Sequence, residues 1–496
     1  MNSIHRYAKY SGMALLVMLA AVILLAGIAI PAQAQNYSVL YTFSGTPEWL
    51  LNPVGQMALA QDGNYYGFTE GGAETLLYQA TPSGSVNEVW SAPSQFGEGA
   101  TVCTSGLTLG SDGLLYATCQ TINGNSSDGG GILRFDPNNL QSGATVLYTW
   151  PYCGYGSPAP NPLTLGADGN LYGTNAGNPN CSYDRWGSFY KLTTAGVFTT
   201  LHEFAGAPTD AQTPSELTLG SDGNFYGTSV QGGNIAGQNV GTIFKITPKG
   251  KVTLLYSFDQ TGTNPYYGAA PMTQGNNGYW YGTSFLGGTY GYGTIFELKG
   301  KTLTVLHNFD QTVDTAYPTF PLTLGTDGNF YATSQATYSG GYAPESIFEI
   351  TTAKKPVYTT LFSWLTWGGP DCSDNLSNGC FPGWTVMLNP NGMFYGVTED
   401  GAYYGGGVFY SFNTGLKPYI ILQYPRGTIG NSIGIFGSGL TGTTAVSFNG
   451  VAATSFTVDS DTYMTAVIPT GATKGYVTVT TPSGSLQSAI KLTVVK

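Results

Sequence analysis

Along most of the chain, apolar and polar residues alternate in short runs cut by Asp-Gly, Gly-Gly and Pro-x-Gly. The runs Pro214 to Leu219, Asn224 to Thr228, Gly241 to Thr247 and Val252 to Phe258 show one complete unit. Period-two alternation bounded by such residues predicts strands, and the tight turns between them predict antiparallel hairpins. The unit recurs, most visibly as Asp168-Gly-Asn-Leu-Tyr-Gly-Thr, Asp222-Gly-Asn-Phe-Tyr-Gly-Thr and Asp327-Gly-Asn-Phe-Tyr-Ala-Thr, with relatives starting at Asp62, Asp112, Asn277 and Asn391. Spacings of 50 to 64 residues between these starts leave room for four short strands and loops of variable length. The prediction is an all-β chain whose residues 35–416 form a seven-bladed β-propeller. The last copy lacks a fourth strand after Gly407-Val-Phe-Tyr-Ser-Phe412, whereas Ser38-Val-Leu-Tyr-Thr-Phe43 precedes the first copy and matches Thr145-Val-Leu-Tyr-Thr-Trp150. The N-terminal strand is therefore expected to complete the seventh blade and remove an exposed sheet edge.

From Pro418 the rhythm changes to Ile433-Gly-Ile-Phe-Gly-Ser-Gly-Leu440, Ala445-Val-Ser-Phe-Asn-Gly-Val451 and Gly475-Tyr-Val-Thr-Val-Thr-Thr-Pro-Ser-Gly484. Asn449-Gly450 between apolar runs signals a two-residue hairpin, since both turn positions want positive φ. Residues 417–496 are expected to form a small β-sandwich.

Composition supports an all-β reading. Gly supplies 71 of 496 residues, Tyr 35 and Phe 24, while charged residues make up only 9%. Glycine and aromatics feed turns and strands, whereas exposed helix faces need long charged side chains. Residues 1–34 carry His5, Arg6 and Lys9, an apolar run from Met13 to Ile30, and Ala32-Gln33-Ala34, the pattern of a signal peptide cleaved after Ala34. The length of the run keeps an uncleaved membrane anchor as the alternative. Loss of the leader takes the net charge from −11 to −13. With so few scattered Lys and Arg, neither nucleic acid nor an anionic membrane is an expected partner. In an exported chain six cysteines read as disulfides. The least strained pairing is Cys103 with Cys119 and Cys153 with Cys181, each flanking a hairpin, and Cys372 with Cys380 closing one loop. The expected location is extracellular or at the cell surface, with the periplasm as a further option, and the expected state is a monomer.

Two family resemblances rest on these motifs. The pattern Leu-x-x-Asp-Gly-Asn-(Phe/Leu)-Tyr-Gly-Thr, followed by Gly-Thr-Ile-Phe as in Gly241 to Phe244 and Gly293 to Phe296, resembles the GloVer tandem repeats of bacterial surface and secreted proteins. It implies architecture and export and brings no catalytic motif. The C-terminal stretch, with Gly-Leu-Thr-Gly-Thr-Thr-x-Val-x-Phe-Asn-Gly, Ser460-Asp461, Pro469 and Gly484, resembles an IPT/TIG domain, an immunoglobulin-like fold used as a spacer or protein-contact module. The Asp-Gly-Asn-Leu-Tyr and Ile-Thr-Pro-x-Gly rhythm also resembles virginiamycin B lyase-like propellers, which implies a metal-assisted lyase with a catalytic His and acidic helpers at the ligand face. The histidines here do not suit that role. His202 and His307 occupy an outer-strand position that Tyr41, Tyr148 and Tyr256 fill in other copies.

The Asp-Gly turns trim one end of each blade, while the other end carries long irregular loops, where binding residues usually sit. Tyr183, Trp186, Tyr266, Tyr267, Tyr290, Tyr292, Tyr338, Tyr342, Trp367, Tyr403 and Tyr404 lie in those loops, and flat rings with a polar handle suit sugar or peptide ligands. Glu70 and Glu399 hold equivalent strand-end positions in the first and seventh copies, with Asp400 adjacent, and form a candidate acid and base pair on one rim. The repeated turn aspartates are read as Asx turns rather than calcium ligands, because Asn277 and Asn391 replace two of them. No Ser-His-Asp, His-x-x-x-His or phosphate-loop pattern is present. The expectation is a non-catalytic, cofactor-free binding protein for a glycan or an extracellular protein. A lyase or glycan-active hydrolase using the acidic rim and a structural surface protein stand as alternatives.

Overall fold

The computed structural model describes residues 36–44, 50–70, 75–91, 103, 105–120, 130–151, 160–177, 186–235, 238–268, 270–311, 314, 318, 320–334, 345–364, 380–401 and 405–495. The leader lies outside them. Among the described residues the only helical segment is a 3-10 turn, Leu140–Ser142, and no helix is long and apolar enough to cross a membrane.

Before residue 414, the described strands fall into seven antiparallel sheets. Sheet 1 contains Pro53–Leu59, Tyr65–Thr69, Leu76–Ala80 and Val86–Ser91, paired in chain order. Sheets 2 to 6 repeat this meander over 107–149, 164–203, 211–257, 273–308 and 323–364. Sheet 7 is composite. Its innermost segments, Cys380–Pro382 and Met387–Leu388, pair with Phe394–Asp400, which pairs with Val408–Asn413, and the outermost place is taken by Asn36–Thr42 from the other end of the chain.

The repeated motif builds these sheets residue by residue. In Asp222-Gly-Asn-Phe-Tyr-Gly-Thr228, Asp222 Oδ1 accepts the Asn224 backbone N–H at 3.1 Å, while Oδ2 accepts the Asn224 amide at 2.7 Å and the Tyr226 hydroxyl at 2.9 Å. Gly223 takes φ 83°, which a side chain would disfavour. The motif's second Gly makes room for a ring from the third strand. A Cβ on Gly173 would collide with the Tyr190 hydroxyl, and one on Gly67 or Gly396 with Tyr78 or Tyr410. Its terminal Thr reaches the next sheet. Thr118, Thr174, Thr228 and Thr333 donate to the carbonyls of Asn161, Ser215, Ala270 and Trp384 at 2.7–3.0 Å.

A second set of hydroxyls on the innermost strands does the same. Thr108, Thr164, Thr273 and Thr323 donate to Leu163, Leu217, Leu322 and Val386 at 2.5–2.6 Å. Sheets 2 to 7 are thus tied in sequence. Sheet 7 meets sheet 1 through the Asn52 N–H on the Gly406 carbonyl at 2.8 Å and through a shared core of Phe43, Met57, Tyr65, Tyr78, Val397 and Phe409. In all seven sheets the outermost strand carries a register shift at the same place, as between Phe189 and Tyr190 or Ile243 and Phe244. One extra residue there raises the local twist, as a β-bulge does.

Strands after residue 420 make a separate core of Ile433, Ile435, Val446, Phe448, Met464 and Val479. One sheet joins Ile421–Leu422, Ser432–Phe436, Tyr463–Val467 and Phe456–Val458. A second joins Val451–Ala452, Ala445–Phe448, Val477–Thr481 and Gly484–Gln487, and Arg426–Thr428 runs parallel to Thr493–Val495. Asn449 and Gly450 form the hairpin turn with φ 48° and 84°, the positive pair that Asn-Gly favours.

Candidate functional site

Because each innermost strand runs from the loops to an Asp-Gly turn, all seven turns lie at one end of the sheets and the long connections at the other. The turn end is where the C-terminal strands dock. Thr462 donates its hydroxyl to the Gln61 carbonyl at 2.9 Å, Arg426 Nη1 to the Asp222 carbonyl at 3.0 Å, and the Tyr419 hydroxyl to Leu388 O at 3.1 Å. Gly63 lies so close to Thr462 that a Cβ would sit 2.6 Å from its methyl group. The contact reaches sheets 1, 4 and 7, while at sheet 5 a cleft of about 360 Å³ lies between Gln274, Asn276 and the module's Lys474 and Lys491.

At the loop end, the aromatic candidates divide. Tyr183, Tyr338, Tyr342, Trp367, Tyr403 and Tyr404 lie outside the described residues. Trp186 is half-buried, its ring over Gly206 and against the core of sheets 3 and 4. Tyr266 and Tyr267 pack edge to face at 5.3 Å over the core of sheets 4 and 5, and Tyr292 packs beside Phe309 and its neighbours. Tyr290 stands out, 54% exposed. Loop rings thus split between sealing the ends of the inter-sheet cores and facing water, a choice set by how much apolar area each covers.

The acidic rim is assembled at this same end. Glu399 is the penultimate residue of the strand Phe394–Asp400 and is half-buried, whereas Glu70 follows Tyr65–Thr69 and is exposed. Burial, then the negative charges of Glu70 and Asp400, push the Glu399 carboxyl up to about 7. Though its surface is open to solvent, desolvation by the surrounding protein also raises Glu70. Asp400 Oδ1 accepts the Gly401 N–H at 2.9 Å. A carboxyl that holds its proton near neutrality can act as a general acid.

Cys103 and Cys119 are joined with an S–S distance of 2.00 Å, and Cys380 is disulfide-bonded. Cys153, Cys181 and Cys372 lie outside the described residues. His202 and His307 each follow the bulge of an outermost strand and hold an aspartate in the next loop, Asp210 at 2.8 Å and Asp314 at 2.6 Å. Although burial alone would raise Asp210, its bonds to His202 and to the backbone of Ala205 and Ala211 hold the carboxyl below its usual range. These bonds tie the loop back to the strand. Motif reading missed both aspartates, which sit in connections of variable length; an acidic residue seven or eight positions after the His was the available signal. It also missed Glu216. That residue lies between Ala211–Pro214 and Thr218–Leu219, the two innermost segments of the fourth copy, where the others hold Gln56, Gly106, Pro162, Pro271, Pro321 and Thr385, and it is the one charged side chain at this place.

The sheets and the tied motif define an all-β protein of tandem four-stranded units. Residues 159–385 match the family model described as the Gloeobacter/Verrucomicrobia repeat, a span running from sheet 3 into sheet 7. No curated protein matches the chain. Among solved structures, it is similar to a streptogramin B lyase at 17% identity, covering 76% of this chain and 97% of that one with a TM-score of 0.46. A catalytically inactive virginiamycin B lyase from Staphylococcus aureus with quinupristin is 16% identical, with coverage of 76% and 98% and a TM-score of 0.48. PorZ, a surface component of the type-IX secretion system of Porphyromonas gingivalis, is 13% identical over 90% of this chain and 60% of its own, with a TM-score of 0.46.

Proposed function

We propose that the chain is an exported seven-bladed β-propeller with a C-terminal IPT/TIG-like, immunoglobulin-type module, acting outside the cell or at its surface as a non-catalytic binding protein. Residues 35–416 are the propeller and 417–496 the module. Its contact surface is the loop end. The observation that carries this reading is the docking of the C-terminal strands on the turn end through Thr462, Arg426 and Tyr419, which occupies that end at sheets 1, 4 and 7. The loop end keeps Tyr290 exposed, and rings with a wet hydroxyl fit glycan or peptide ligands. The leader, the acidic charge and the disulfides support export, and the absence of a basic stripe argues against nucleic acid. A glycan and extracellular-protein array on residues 35–496 tests it, with Tyr290→Ala expected to weaken a hit on the order of tenfold. Unchanged binding by that variant, with a footprint on the Asp-Gly turns, overturns it.

One observation favours a second reading, an extracellular lyase or glycan-active hydrolase. Glu399 is held protonated to about 7 beside Glu70. Product analysis of every array hit decides between the two, and turnover that survives in a Glu70→Gln, Glu399→Gln variant excludes the acidic rim as its source.

A further inference from the structure

Between the innermost strands of sheets 1, 2, 3, 4 and 7 lies a cavity of about 300 Å³. Its wall is part apolar and part polar: Leu59, Leu109, Leu165, Leu219 and Met387 line it with some of their surface exposed, while Leu107, Leu163 and Leu217 reach it with side chains buried in the inter-sheet cores. Of its hydroxyls, Thr108 and Thr164 already donate to the carbonyls of the neighbouring sheet. Glu216 also lines it, and the Glu216 Oε2 atom is buried with no hydrogen-bond partner among the described residues. Among those residues, no other ionisable side chain lines the cavity from any of the five sheets. An unpartnered polar atom in such a place is costly, and although the Glu216 residue as a whole keeps some exposure, desolvation with no opposing charge pushes this carboxyl from 4.5 to about 8. Gln would fill the same volume without an ionisable group, and Gln56 stands at this place in the first copy.

We propose that this cavity binds a primary alkylammonium group on an unbranched chain, with Glu216 as its counter-ion and the apolar part of the wall as the seat of the chain. Calcium or magnesium needs six or more oxygen ligands, and Glu216 is the single carboxylate on the described wall. An anion offers the carboxylate form of Glu216 no compensating charge. A neutral alcohol fits the wall yet leaves the carboxyl without charge compensation. Near neutral pH Glu216 enters the encounter as COOH and the ligand as an ammonium ion. The O–H bond of Glu216 breaks, its proton passes to the solvent buffer, and a carboxylate–ammonium pair remains. The site lies between the innermost strands, apart from the loop surface, so its failure leaves the loop-end reading untouched.

The test is calorimetric titration of residues 35–496 with 1-aminopentane, in two buffers of different protonation enthalpy at about pH 7. About one proton should be released per ligand bound, and affinity should rise close to tenfold per pH unit between about pH 6 and 7. Glu216→Gln should retain the fold, seen as an unchanged or higher Tm, and bind at least about tenfold more weakly. 1-Pentanol should also bind at least about tenfold more weakly than the amine. Absence of binding, equal affinity for 1-pentanol, or affinity independent of pH with no proton released would each overturn the proposal. Undiminished binding by a folded Glu216→Gln variant would do the same, and should that variant fail to fold, proton release and pH dependence in the unsubstituted protein decide.

Discussion

Asp222 shows how much one repeated side chain carries. It satisfies a turn N–H, an Asn amide and a Tyr hydroxyl at once, and Asn277 and Asn391 reproduce two of these links, with the side-chain amide now donating to Tyr281 or Tyr395 at 2.7 and 3.0 Å. The charge is dispensable and the geometry is not. Asp222→Asn should therefore cost less than about 1 kcal/mol, and Asp222→Ala about 2 kcal/mol, in chemical denaturation, since only the latter leaves the turn groups unbonded. Equal losses would contradict the Asx-turn account. Glu399 is the opposite case, a residue whose charge is penalised. Its folded value of about 7 lies above the ordinary 4.5, so the folded state favours the proton. Its contribution is fully present below about 4.5 and is lost as pH rises through about 7. Thermal melts should show the unsubstituted protein falling behind Glu399→Gln across that window, with the two parallel above it.

In each sheet, the second strand is legible from sequence because its constraints are local. The turn Asp, the positive-φ Gly, the Gly beneath a neighbour's ring and the Thr that reaches the next sheet all lie within one seven-residue motif. The outermost strand is less legible. Its bulge is marked only by an aliphatic residue before Tyr or His, as in Leu201-His202 and Leu255-Tyr256, and the Asp210 and Asp314 that anchor the histidines fall in loops of no fixed length. The joining of chain ends was legible, since the last copy lacks a strand that the N-terminal segment matches. Asn36–Thr42 follows Val408–Asn413 in continuous antiparallel register apart from that same bulge. Removing residues 36–42 should uncover the edge of Val408–Asn413 together with Phe409 and Phe412, and an open edge is a template for pairing with another chain. Light scattering after size exclusion should find the truncated protein as oligomers. A monomer with an unchanged Tm would contradict the closure.

The relation between the seven sheets and the C-terminal strands was not legible at all. Their contacts fall on the backbone carbonyls of Gln61, Asp222 and Leu388, which every sequence offers, and on the shortness of turns that leave a flat surface. Nor did the aromatic count reveal which rings face water, because Trp186, Tyr266, Tyr267 and Tyr292 sit where a loop either binds a ligand or seals a core, and packing decides. On the proposed reading the molecule divides its two ends, one contacted by its own C-terminal strands and the other open to a partner. Hydrogen exchange across residues 35–496, with and without the strongest ligand from the binding array, tests this division most directly. The account predicts protection in the connections around 230–240, 259–268 and 286–293 and no change in the Asp-Gly turns. Protection confined to the turns at Asp62, Asp222 and Asn391, with the loop connections unaffected, would contradict it.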